Sequence, residues 1–172
     1  CTDGVWAVAH NGNLVNAGFL REGLEEIGAI FQSTTDSEVI LHLISRSQEE
    51  TFPVWVVDAL RKVMGDYSVL VMNGEEVVAA RDPYGFRPLW LGRLEGTYIV
   101  ASETCALDII DAEWVREVEP GEVITITREG LHSQKPLGGG TPKQCIFEFI
   151  YVARPDSYIF GKPVDEVRKN LG

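Results

Sequence analysis

Apolar positions along this chain change their period near residue 65. Before it they recur at helical spacing. Leu20, Leu24 and Ile27 predict a helix from Ala17 that stops at Gly28. Thr35 with Glu38 three residues on predicts a capping box, ahead of a buried stripe of Val39, Ile40, Leu43 and Ile44. Pro53 opens a third helix, with Val56, Leu60, Val63 and Met64 inward and Gly65 as its end. After residue 65 the runs shorten. "YSVLVM", "EVVAA", "LWLG", "TYIVAS", "WVREV" and "EVITIT" read as strands between turns such as Asn73-Gly74 and Glu95-Gly96, which implies antiparallel pairing. A helical turn around Thr104 to Ile110 interrupts them. "PLGGGTPKQ" (136–144) reads as a linker, "CIFEFIYVA" as a last strand, and "VRKNLG" as a helix still running. At the other end, Val5 to Ala9 reads as a short buried strand that Asn11-Gly12 turns. No internal repeat is visible. Helices followed by a meander predict an α+β arrangement with helices packed on sheet.

Composition narrows the function. A chain of 172 residues is long enough for one domain, which buries roughly 70% of its unfolded surface. The net charge is -11 and no basic run occurs, which argues against a nucleic-acid partner. Neither a twenty-residue apolar stretch nor a signal-peptide pattern is present, so no membrane association is expected. The three cysteines are odd in number and widely spaced, which fits a reducing compartment; the cytoplasm is the expected location.

Six blocks carry the chemistry: "AHNGNLVNA", "FQSTTDSEVILHLISRS", "ARDPYGFRPLWLGRL", "ASETCALD", "VREVEPGEV" and "CIFEFIYVARPDS". In this order they resemble the glutaminase domain of the amidophosphoribosyltransferase family, over nearly the whole chain. The resemblance implies a four-layer αββα sandwich of the N-terminal-nucleophile hydrolases, expected here to be incomplete at its N-terminus. Residues 1–137 would be part of the class II glutamine amidotransferase domain. Residues 138–172 would be its end and the start of a connection to a phosphoribosyltransferase domain. The implied activity has two stages and opens purine synthesis. An N-terminal cysteine hydrolyses glutamine, and the ammonia displaces pyrophosphate from phosphoribosyl pyrophosphate. The resemblance further implies a homo-oligomer, Mg²⁺ in the transferase domain and, in some members, an iron–sulfur cluster whose first ligand falls near Cys145.

Attack on a carboxamide places negative charge on its oxygen, and N–H donors must meet it. The Asn11 side-chain amide and the Gly12 main-chain N–H are donors of that kind, and the resemblance makes them the oxyanion hole. It also gives Asp36 the α-ammonium of glutamine. The family's nucleophile opens a Cys-Gly motif, whereas Cys1 is followed by Thr2-Asp3-Gly4. Cys1 therefore reads as an ordinary residue, with the nucleophile expected upstream and this chain alone expected to be inactive. Cys105 reads as packing and Cys145, apart from its cluster role, as a buried strand thiol. His10 reads as a core histidine bonded to backbone, His42 as solvated and His132 as part of a turn. Arg81, Asp82, Tyr84 and Arg87 read as an ion-paired structural corner near the transferase interface, and the four Trp residues as core. Two other readings stay open: an amidotransferase that aminates a sugar phosphate, and a non-catalytic glutamine-binding domain.

Overall fold

The computed structural model describes residues 5–172. Two antiparallel sheets lie face to face between helices. The first holds β1 (Ala7–Leu14), β2 (Gly65–Met72), β3 (Val77–Arg81), β7 (Val123–Thr127) and β8 (Gly130–Gln134), in the order β1-β2-β3-β7-β8. The second holds β4 (Trp90–Leu94), β5 (Thr97–Ala101) and β6 (Glu113–Glu117), in the order β5-β4-β6.

Alternation along the strands builds the layers, because successive side chains point to opposite faces. Val69, Val71, Val78, Ala80 and Val123 pack against α1 (Ala17–Glu26), α2 (Asp36–Ser45) and α3 (Phe52–Leu60). Their neighbours Leu70, Ala79 and Ile124 turn the other way and meet Leu91, Tyr98 and Val100 between the sheets. The outer face of the second sheet is covered by α4 (Thr104–Asp108), whose Leu107 packs with Trp90, Leu94 and Ile99. This is the expected αββα order. A satellite cluster of Phe149, Ala153, Ile159, Phe160 and Val164 holds the hairpin of β9 (Tyr158–Ile159) and β10 (Lys162–Pro163) against α5 (Val164–Leu171).

Buried charge sets the corner after β3. Arg81 is 3% exposed and donates to the carbonyls of Arg87, Val118 and Gly85, with Glu117 as its counter-ion at 3.1 Å. Asp82 is fully buried and accepts from the N–H groups of Tyr84 and Phe86. Arg87 bridges Asp66 and the buried Glu148. The residues grouped from sequence thus form a structural corner. Gly140, Cys145 and Lys143 donate main-chain N–H groups to Pro83, Phe86 and Tyr84. Residues 136–144 are therefore laid along that corner and are not a loose linker.

Several local expectations are corrected. "FEFIYV" forms a wide helical turn of the π type over Glu148–Val152. An apolar run of this length does not distinguish strand from buried helix, and the Glu148 tie to Arg87 decides the matter. α3 ends at Leu60, Gly65 begins β2, and Met64 is exposed. His132 lies in β8. Cys105 is buried as expected, whereas Cys145 is half-buried ahead of the π turn. The tryptophans gather in two groups: Trp6 and Trp55 around Phe52, and Trp90 and Trp114 around Tyr158.

The sequence reading had no counterpart for Glu122, which is 2% exposed. Burial opposes its ionisation, but hydrogen bonds from Arg116, Ser133 and the Glu119 N–H outweigh that cost and hold its carboxyl at about 2. Because the folded value lies below the unfolded one, the contribution is complete above about pH 4.5 and is lost as the pH falls toward 2. Replacing Glu122→Gln should cost about 2 kcal/mol at neutral pH by denaturant titration. The gap to wild type should close across that acid window. A Cβ at Gly65, where φ is +145°, would sit 2.1 Å from the Asn13 carbonyl oxygen. Gly65→Ala should therefore destabilise by more than about 2 kcal/mol in the same titration.

Candidate functional site

β1 does not turn at Asn11-Gly12. It runs on to Leu14 as an edge strand, with Gly12 opposite Tyr67 and Asn11 opposite Ser68 on β2. The glycine is needed for close approach: at φ +154°, a Cβ on Gly12 would lie 2.0 Å from the Asp66 carbonyl oxygen. Val5, Ala7 and Ala9 are exposed, so this strand is half-covered and not buried.

The last turn of β1, the start of α1 and the N-terminus of α2 enclose a cleft of about 510 Å³. His10, Gly12, Arg21, Thr34, Thr35, Asp36 and Ser37 are among its walls. Asp36 opens α2, where the helix N-terminus favours a negative group. Its Oδ2 accepts the Leu14 N–H at 3.0 Å, and its Oδ1 lies 3.3 Å from His10 Nδ1. Ser37 Oγ stands 3.4 Å from the same nitrogen. His10 therefore holds side chains of α2 and not backbone as expected. The Leu14 N–H bond and the His10 contact hold the Asp36 carboxylate at the wall of the cleft.

The Leu14 N–H points away from β2 to reach Asp36. Main-chain groups along a strand alternate between its two edges, so the N–H of Gly12, two residues back, points to the same open edge. Asn11 projects from the opposite face of β1 to His10 and Gly12 and is not among the walls of the cleft. The structure thus brings Gly12 and Asp36 into one cleft and places Asn11 beside it, across the strand.

The predicted capping box does not form. Thr35 makes no side-chain cap to α2, and the Glu38 carboxylate accepts from the N–H groups of Gln32 and Ser33 and from the Ser33 hydroxyl. Those bonds, the Ser33 hydroxyl first, lower the Glu38 carboxyl to about 2. Glu38 turns back to the loop because its acceptors are needed there, and an acid three residues after a threonine cannot reveal this choice. Nor is His42 simply solvated: its ring packs 4.3 Å from that of Phe31, and burial, the largest influence, lowers its pKa.

Neither Cys105 nor Cys145 lines the cleft, and Cys1 lies outside the described residues. Among the described residues no group of three or more His, Cys, Asp or Glu side chains could hold a metal ion. An iron–sulfur cluster takes four protein donors. Cys145 supplies one, so these residues alone do not fit that group. No helix among them is long and apolar enough to cross a membrane.

The chain is similar to known proteins over almost its whole length. Amidophosphoribosyltransferase 1, chloroplastic, of Arabidopsis thaliana is 50% identical over 166 residues, covering 96% of this chain and 29% of the relative. Amidophosphoribosyltransferase of Bacillus subtilis is 46% identical over 170 residues, covering 99% of this chain and 36% of the relative. The chain thus spans about a third of the length of the curated relatives it matches. The solved structure of glutamine phosphoribosylpyrophosphate amidotransferase from B. subtilis, complexed with ADP and GMP, superposes with a TM-score of 0.95 at 45% identity. That match covers 99% of this chain and 38% of the other. The pattern of the glutamine amidotransferase domain matches residues 1–108, more than half of the sequence, and the chain belongs to that family.

Proposed function

We propose that this chain is the glutaminase part of an amidophosphoribosyltransferase, releasing ammonia from glutamine for transfer to phosphoribosyl pyrophosphate. One observation carries the reading: the Asp36 carboxylate and the outward N–H of Gly12 converge on a single cleft. Glutamine has a cation at one end and a carboxamide at the other. Its α-ammonium would lie against Asp36. Its carboxamide oxygen would sit at the open edge of β1, with the Gly12 N–H in the plane of the sheet and the Asn11 amide reaching it from the other face.

A thiolate adds to the carboxamide carbon, and the C=O electron pair moves onto oxygen, where those donors meet it. The proton that the thiol gave up passes to the nitrogen, and collapse breaks the C–N bond, expels ammonia and leaves a thioester. Water hydrolyses the thioester to glutamate and restores the thiol. No described thiol lines this cleft, so these residues supply binding and charge stabilisation, not the attacking sulfur. Pre-orientation supports the assignment of Asp36. Leu14 and His10 hold the carboxylate before any ligand arrives, so less freedom is lost on binding.

In the same reading phosphoribosyl pyrophosphate and its Mg²⁺ bind outside these residues, and the released ammonia is consumed there by pentosyl transfer. The assembly is a homo-oligomer, and its place is a reducing compartment such as the cytoplasm; the free thiols of Cys105 and Cys145 support the compartment alone.

Ammonia release from glutamine by the complete enzyme tests both ends of the site. Asn11→Ala should lower kcat by about a hundredfold, the loss typical of removing one oxyanion donor. Asp36→Asn keeps an acceptor for the Leu14 N–H but removes the charge. It should raise the KM for glutamine more than tenfold, with a smaller change in kcat. Unchanged turnover in the first variant would remove Asn11 from the oxyanion hole; an unchanged KM in the second would remove Asp36 from ammonium binding.

A further inference from the structure

The loop that forms one wall of the cleft is poorly covered. Gln32, Ser33, Thr34 and Thr35 are all exposed, and no apolar side chain among them anchors the segment. Ordering such a stretch costs backbone freedom at every residue. Something other than core packing must hold it.

Two charged side chains grip it from opposite sides. Arg21, on α1, donates from one guanidinium nitrogen to the carbonyls of Ser33 at 2.9 Å and Thr35 at 3.4 Å. Glu38, on α2, accepts from the Gln32 N–H at 2.7 Å, the Ser33 N–H at 2.8 Å and the Ser33 hydroxyl at 2.6 Å. Carbonyls are thus satisfied by a cation and N–H groups by an anion. Arg21 also lies 3.9 Å over the Phe31 ring, whose other neighbour is the His42 ring. The segment begins in this stack and ends at Asp36. The Ser33 hydroxyl and the Gln32 and Ser33 N–H groups lower the Glu38 carboxyl to about 2, so it is ionised throughout the neutral range and the grip does not loosen there.

We propose that Arg21 and Glu38 are positioning residues for glutamine, a paired clamp that fixes the Gln32–Thr35 wall and through it the placing of Asp36. The proposal rests on the glutaminase reading above. It goes beyond that reading by assigning a positioning task to Arg21, itself among the cleft walls, and to Glu38 behind the loop. Neither needs to touch the reacting carboxamide. Their action is on the bound pose, so their loss appears in substrate affinity.

The test is steady-state glutamine hydrolysis by the complete enzyme, with thermal unfolding followed in parallel. Arg21→Ala and Glu38→Gln should each raise the KM for glutamine about tenfold while kcat stays within about threefold. Arg21→Lys keeps the charge but lacks the planar fork, and should recover part of the loss. A purely structural role behaves differently: kcat falls with the folded fraction, and the KM of the surviving enzyme stays at the wild-type value. That result in Arg21→Lys and Glu38→Gln, the variants least disruptive to folding, overturns the clamp. Normal wild-type turnover with an unchanged KM in Arg21→Ala overturns the clamp alone. A wild-type enzyme that released no ammonia from glutamine would overturn the function and the clamp together.

Discussion

A single hydrogen bond organises this end of the molecule: the Leu14 N–H donating to the Asp36 carboxylate. β1 is an edge strand, and its outward N–H groups have no neighbouring strand among the described residues to accept them. A carboxylate at a helix N-terminus is a strong acceptor for one of them and is itself favoured there by the helix dipole. The bond therefore sets the N-terminus of α2 against the edge of the first sheet. The cleft is the space left between them. Gly12 and Gly65 complete the constraint, since side chains at those positions would collide with the facing backbone.

Away from the cleft, charge is buried where two segments must be held in register. Arg81 gathers three carbonyls at the corner after β3, and Arg87 connects Asp66 on β2 with Glu148 in the π turn. Breaking such a pair leaves an uncompensated buried charge, which costs far more than the intact pair contributes. The C-terminal segment is thereby tied to the residue on β2 that faces Gly12 and Asn13. One ion-pair chain joins the π turn to the strand beside the cleft.

The strand meander was legible because its alternation is strict: Val69 and Val71 face the helices while Leu70 faces the second sheet. β8 was missed, since "GLHSQ" is largely exposed and carries little apolar signal. The π turn was misread as a strand because the partner that fixes it, Arg87, lies 61 residues away. The same limit applied at the site. Asn11, Gly12 and Asp36 could be singled out from motif and order. That Asp36 is held by Leu14 and His10, and that Glu38 abandons the cap for Gln32 and Ser33, could not.

From sequence alone came the αββα class, the family resemblance, the acidic surface and the residues able to meet a carboxamide and an ammonium group. Local periodicity carried only the α+β class and composition only the acidic charge; the αββα sandwich and the roles of Asn11, Gly12 and Asp36 came through the family resemblance. The tertiary structure decided that β1 runs straight through Asn-Gly, that Asn11 and Gly12 face different sides, and that Arg21 and Glu38 grip one exposed loop. Each depends on which distant backbone group lies within hydrogen-bond reach, and chain order does not specify that distance.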